Sequence, residues 1–417
     1  MKKTIFAGWW QVAVCMLTQA AATGTIVTCF SVFAAPLAKE FGTSRGELGL
    51  VMTLTYLING LLNPVLGTAM DRFSIRKIML GGGAALGAGF LALSFATSMT
   101  GVFLAFGLLL ALANTALGPL SYSTLLPRWF VARRARAVGL TVAGYAIGGL
   151  VLPPLFALLI ESFGWRNTLR MFSAFVIVVL IPLIGWLVID RPSDVGLSPD
   201  GDNQPSRAIP RAAAEPSQST GALLRDRNFW VITLCICLVL VGSAGLLSNM
   251  VPFALSRGFV AKQGALLLSC FSAGSLTSKL LYTVFGDRLN PRAGLATGLF
   301  FFTSSSCCFF AGHTFAALLA ASFIFGMGVG TSLPLWSYLT ARVFGTANVG
   351  RVFGLMNIVT MPLSLLAPPV MGAIFDRTGA YDDGFVMYIC LGVAALLLVP
   401  WLRIGASPRL TPAPVES

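Results

Sequence analysis

Residues 67–77 read GTAMDRFSIRK. Asp71, Arg72, Arg76 and Lys77 crowd charge into this short stretch, whereas only 10% of the whole chain is charged. The apolar runs on either side, near residues 46–69 and 78–97, each reach the ~20 residues that cross a bilayer core. A charged turn between two such runs is a loop at a membrane surface. That decides the fold class: an all-α membrane protein, because an isolated apolar span must satisfy its backbone internally, as a helix does.

The rest of the chain repeats this pattern. Of its 417 residues 56% are hydrophobic and the mean hydropathy is +0.83, whereas soluble domains carry roughly 25% charged residues. Twelve apolar runs are predicted to span, the first near 9–36 and the last near 385–402. The first is longer than a signal-peptide core and no small-residue cleavage site follows a short apolar stretch, so it is read as retained.

The net charge of +13 is not a nucleic-acid signature, because Lys and Arg concentrate in every second loop. The N-terminal segment, 72–77, 128–136, the central linker and the C-terminal tail hold most of them. By the positive-inside bias this places both termini in the cytoplasm, and the simple N-terminus suits a bacterial inner membrane. All eight cysteines fall within predicted spans, where they act as small apolar fillers rather than disulfide or zinc ligands. His313 lies in a short outer loop and has no assigned role. No metal, cofactor or nucleotide loop is expected, and the chain offers no buried acid–base pair or activated nucleophile for an enzyme.

Residues 190–228, rich in Pro, Ser, Asp and Arg, lack apolar periodicity and read as a flexible cytoplasmic linker. They divide the chain into an N-terminal six-helix unit (1–189), the linker, a C-terminal six-helix unit (229–403) and a tail (404–417). Shifting the first unit by 215 residues lays Pro153-Pro154 on Pro368-Pro369, Gly164 on Gly379, Arg136 on Arg351, Gly139 on Gly354 and Pro119 on Pro334. Asp71-Arg72 falls one residue short of Asp287-Arg288. The chain is therefore a duplicated unit, an organisation typical of carriers with a midplane site between halves.

GTAMDRFSIRK also closely resembles the signature loop of the major facilitator superfamily, with Ser74 in place of the usual second glycine. The resemblance implies twelve transmembrane helices as two pseudo-symmetric six-helix bundles, working by alternating access. It implies a cytoplasmic gate at Gly67, Asp71, Arg72, Arg76, Lys77 and Arg136, with Asp287 and Arg288 as the second copy. WFVARRARAVGLTVAG (129–144), PPLFALLIESFGWR (153–166) and PPVMGAIFDRTG (368–379) resemble monocarboxylate transporters and oxalate–formate exchangers.

One charge stands inside a span. Lys279 lies eight residues before Asp287, ~12 Å up a helix, and placing it there costs about 2.5–3.5 kcal/mol on insertion scales. Ser272, Ser275, Lys279, Tyr282, Thr283 and Gly286 follow one helical face, which reads as the wall of a wet cavity. No Asp or Glu lies in a membrane interior. A cation without a fixed anion favours an anionic substrate. The resembled carriers place a cation, usually Arg, at what corresponds to this position; they often add an acid in the same helix and a lysine in the first, both absent here. The second cation of oxalate carriers is also missing from GLMNIVTMPLSLL, so a monoanion suits the site better than a dianion.

Further candidate ligands are Tyr56, Asn59, Asn114, Tyr122, Asn249, Trp336, Tyr338 and Asn357, as hydrogen-bond donors or aromatic walls. The expected protein is a monomeric secondary carrier of small organic anions, by proton symport or anion exchange, with the lipid bilayer as its other partner. Two alternatives are an exporter of drug-like or amphipathic metabolites and a non-transporting sensor on the same fold.

Overall fold

The computed structural model of the protein describes residues 6–201, 220–285, 290–345 and 349–402. Among the described residues there is no strand, and the helices are α1 (8–41), α2 (Arg45–Arg72), α3 (Ile75–Ser94), α4 (Met99–Trp129), α5 (134–163) and α6 (165–187), then α7 (Arg227–Ser256), α8 (Ala261–Phe285), α9 (Pro291–Ala311), α10 (Phe315–Phe344), α11 (Val349–Thr378) and α12 (Asp382–Leu398). They form two six-helix bundles. Eleven continuous helices among the described residues are long and apolar enough to cross a bilayer, the longest being Arg136–Leu187 at 52 residues. That helix would run about 78 Å if straight, far beyond a ~30 Å core. It breaks at Gly164, where φ 77° and ψ 157° leave the helical region, and so supplies two crossings, α5 and α6.

The repeat seen in the sequence has its counterpart in the backbone. Gly379, the partner of Gly164, has φ 74° just beyond α11. A positive φ of this kind favours glycine. The proline pairs lie inside α5 and α11 respectively.

Local signals start the helices where the sequence allows. Ser44 and Glu47 form a reciprocal capping box at α2, and Ser74 accepts from Lys77 N at α3. Ser74 thus has a local use where the resembled loop carries glycine. Aromatic clusters fill each bundle: Phe90, Phe156 and Phe172 in the first, with neighbouring centroids 5.2 Å apart, and Phe253, Phe309 and Phe385 in the second. Trp10, Trp186, Trp230 and Trp401 are exposed at helix ends on the side of the termini, the placement of an interfacial aromatic belt.

The start of the expected linker is held in place. Asp190 Oδ1 accepts from Arg76 N at 2.9 Å. Asp200, largely buried and at φ 59°, accepts from Val131 N at 2.8 Å, Ala132 N at 2.7 Å and Arg133 N at 3.3 Å. Burial alone would raise its carboxyl; these three N–H groups and the Arg133 charge outweigh that and hold it below its ordinary value. Thr220–Arg225 is a short helix before α7.

The bundles meet along two seams, α2 on α11 and α5 on α8. Contacts run from the surface opposite the termini to mid-membrane. On one seam Gly46 meets Asp376 and Ala373, Gly49 meets Pro369, Thr53 Oγ1 donates to Leu365 O, and Gly60 meets Met361. On the other Lys262 pairs with Glu161, Ser269 Oγ donates to Leu150 O at 2.7 Å, and Ser272 packs on Gly149. Toward the termini the seams part: a Cβ on Gly139 or Gly354 would meet nothing within 4 Å, and Asn63, Asn357 and Ile358 are exposed.

Candidate substrate site

Lys279 sits on the stripe of α8 that faces α5, in line with Lys262, Ser269 and Ser272. It is half-buried, and its ammonium lies 5.8 Å from the centroid of the Tyr145 ring. A cation at this distance over a ring is attracted by its negative face. Tyr145 on α5 and Tyr56 on α2 are within electrostatic reach of one another. The three side chains thus link α8, α5 and α2 where the tight seam contacts give way to the open side. Tyr145 has no place among the sequence-predicted ligands; its signal was an aromatic among the glycines of its span.

The other predicted residues divide. Asn59 Oδ1 accepts from Thr115 Oγ1 at 2.9 Å, and Asn114 Oδ1 accepts from Thr23 Oγ1 at 2.8 Å; both amides are half-buried on the inner helices. Tyr122, half-buried, stands within electrostatic reach of Cys15. Helix α4 leaves regular geometry between them, at Gly118 (ψ −148°). Asn249 is buried in the outer part of the bundle, donating to Gly245 O at 2.9 Å and Pro368 O at 3.3 Å and accepting from Tyr381 OH at 3.3 Å. Trp336 is buried against Phe353, with Nε1 2.8 Å from Met356 Sδ. Tyr338 OH accepts from Arg342, and Asn357 Nδ2 donates to Phe353 O at 3.0 Å. None of the contacts described for these four side chains involves Lys279, Tyr145 or Tyr56.

On the predicted polar face of α8, Ser272 and Ser275 face neighbouring helices. The Ser272 hydroxyl lies against Gly149, and the backbone of Ser275 against Gly326 and Gly330 of α10. The Thr283 side chain, and Gly286, Asp287 and Arg288 altogether, lie outside the described residues. Around the first signature loop, Gly67 faces Leu120, Arg76 donates to Gly185 O, and Arg128 donates to Met70 O at 3.0 Å. Asp71, Arg72 and Lys77 are exposed, and Arg136 stands 5.8 Å from the Trp9 ring.

Two corresponding seams, a duplicated backbone break and a half-buried cation between the bundles are the layout of a carrier. The Major Facilitator Superfamily model matches residues 15–268 and again 245–417. The chain belongs to the Major Facilitator Superfamily. As a superfamily member it is an integral, multi-pass membrane transporter and not an enzyme. Curated relatives include monocarboxylate transporter 12 of Mus musculus, 25% identical over 98% of this chain and 87% of that one. Monocarboxylate transporter 11 of Homo sapiens is 27% identical over 90% of this chain and 78% of its own length. Among solved superfamily structures, a bacterial homolog of the human lysosomal transporter Spinster, in an inward-facing and occupied conformation, aligns with TM-score 0.73. It covers 95% of this chain and 97% of that one at 14% identity, a likeness of fold.

Proposed function

We propose that the protein carries small organic monoanions, monocarboxylates first, by alternating access, and that Lys279 holds the carboxylate. The observation that carries this reading is the half-buried ammonium beside Tyr145 at the point where the two bundles part. A cation in that position attracts a ligand carboxylate, and the tyrosines and inner amides supply hydrogen bonds. The relatives named monocarboxylate transporters support the same substrate class. Lysine binds as a point charge rather than a bidentate fork, which suits one carboxylate better than two.

With both termini in the cytoplasm of a bacterial inner membrane, the closed side faces out and this is an inward-open state. The 1–189 and 229–403 units are then the rocking bodies, joined by the 190–228 linker, with Asp71, Arg72, Asp287 and Arg288 at the cytoplasmic closure. The carrier works as a monomer, by proton symport or anion exchange; in symport Lys279 is the group that exchanges the proton, since every Asp and Glu of the spans lies toward a helix end.

Counterflow in proteoliposomes tests the substrate class, with vesicles loaded in turn with lactate, pyruvate, formate, benzoate, glycolate and oxalate. Saturable exchange of at least one monocarboxylate, with oxalate poorer, is expected. Exchange of none of these acids, alongside transport of a neutral or cationic amphiphile, would overturn the reading. Repeating the assay under an imposed pH gradient separates symport, which the gradient drives, from exchange, which it leaves unchanged.

A further inference from the structure

The outer end of the α2–α11 seam contains a helix cap supplied by the opposite bundle. The capping box of α2 uses Ser44 and Glu47 to satisfy the N–H groups of Glu47 and Ser44. That leaves the first two helical N–H groups, of Arg45 and Gly46, without an intrahelical partner. Asp376, near the end of α11, takes both: Oδ1 from Arg45 N at 3.0 Å and Oδ2 from Gly46 N at 2.8 Å. A carboxylate at a helix N-terminus is also favoured by the helix dipole.

The Arg45 side chain clamps the same junction. Its guanidinium stacks on Phe375 at 3.4 Å, donates to Tyr381 OH at 2.9 Å and reaches Pro252 O of α7 at 3.1 Å. Tyr381 in turn donates to Asn249. Helices α2, α7 and α11 and the α11–α12 turn are thereby tied at one point. The approach is close because glycines face backbone: a Cβ on Gly372 would sit 2.4 Å from Arg45 O, and one on Gly49 would sit 2.5 Å from Pro369.

The internal repeat supplies a comparison. Shifted by 215 residues, Glu161 falls on Asp376, and Glu161 pairs with Lys262 at the outer end of the α5–α8 seam. The two seams therefore carry related acids at related places. Their chemistry differs. Glu161 and Lys262 form a side-chain pair with 61% and 45% of those side chains exposed, the type of ion pair that contributes little and is screened by salt. Asp376 instead satisfies two backbone donors at a helix N-terminus, beside a stacked guanidinium.

We propose that the Asp376–α2 cap, clamped by Arg45, is the latch that keeps the outer side closed, and that the Glu161–Lys262 pair is not. Opening outward must uncap α2, so Asp376 sets how readily the carrier turns over its empty form. The latch needs no substrate, which keeps its test separate from the assignment of the anion site.

The test is hydrogen exchange of the full-length protein in detergent or nanodiscs, without ligand, on wild type, Asp376→Asn, Arg45→Gln and Glu161→Gln. Exchange in the peptide covering residues 43–49 should be about tenfold faster in Asp376→Asn and clearly faster in Arg45→Gln. It should be unchanged in Glu161→Gln. Unaltered protection of α3 shows that a variant is folded; should Asp376→Asn fail that check, Arg45→Gln carries the comparison. Wild-type exchange in the folded latch variants, or an equal increase in Glu161→Gln, would overturn the proposal.

Discussion

Lys279 is costly where it stands, and the ring of Tyr145 is one of the groups that makes the position tenable. If the ring orients the ammonium toward the open side, Tyr145→Leu should raise the half-saturation concentration for the transported anion by ~2- to 30-fold, the range given by a cation–π contact of about 0.5–2 kcal/mol. Tyr145→Phe keeps the ring and should stay near wild type; concentration-dependent counterflow measures both. A loss in Phe as large as in Leu would assign the effect to the hydroxyl instead. The lysine itself was legible in the sequence, as a charge inside an apolar run. Tyr145 was not, because an aromatic in a glycine-rich helix has the same pattern whether it packs or lines a cavity. Asn249 shows the converse: a polar residue inside an apolar helix whose amide is occupied by Gly245, Pro368 and Tyr381.

Helices α2 and α11 approach closely enough that side-chain volume decides whether the seam can close. Gly49→Ala places a methyl 2.5 Å from the Pro369 backbone, and overpacking of this sort costs typically 1–3 kcal/mol. The penalty falls on the outer-closed state alone, so the variant should populate outward-open forms. Distance distributions between labels on the outer ends of α2 and α11 should lengthen, whereas Gly139→Ala, which meets no atoms within 4 Å, should leave them unchanged. The helices could be read from the sequence, because apolar length and charged loops define each span. The break between α5 and α6 was legible too, in the Gly164–Gly379 correspondence. What the sequence withheld was the pairing. Arg45 and Asp376 are 331 residues apart, and each alone reads as an ordinary loop or helix-end charge. Likewise the serines of α8 share a face with Lys279 by spacing, yet the Ser272 hydroxyl packs on Gly149 of α5.

In the whole molecule, the duplicated bundles follow from composition and repeat. The clasp formed by the start of the linker does not, since its sequence looks like that of a flexible tether. Asp200 ties residues 131–133 to that segment, and removing such a cap costs about 0.5–2 kcal/mol. Asp200→Ala should therefore speed limited proteolysis around residues 196–201 while leaving the transmembrane helices protected. Because the folded carboxyl is held below its ordinary value, its contribution is complete above the usual carboxylate range and is lost as pH falls through the folded value. The clasp should be closed at neutral pH and release only in acid.

The central claim is that a cation between the bundles holds an anionic substrate. Its most direct test is counterflow of the transported monocarboxylate by wild type, Lys279→Arg and Lys279→Gln reconstituted at equal density. Saturable exchange that persists in part in Lys279→Arg and disappears in Lys279→Gln is the predicted result. Exchange by a folded Lys279→Gln protein with wild-type rate and half-saturation would contradict the account.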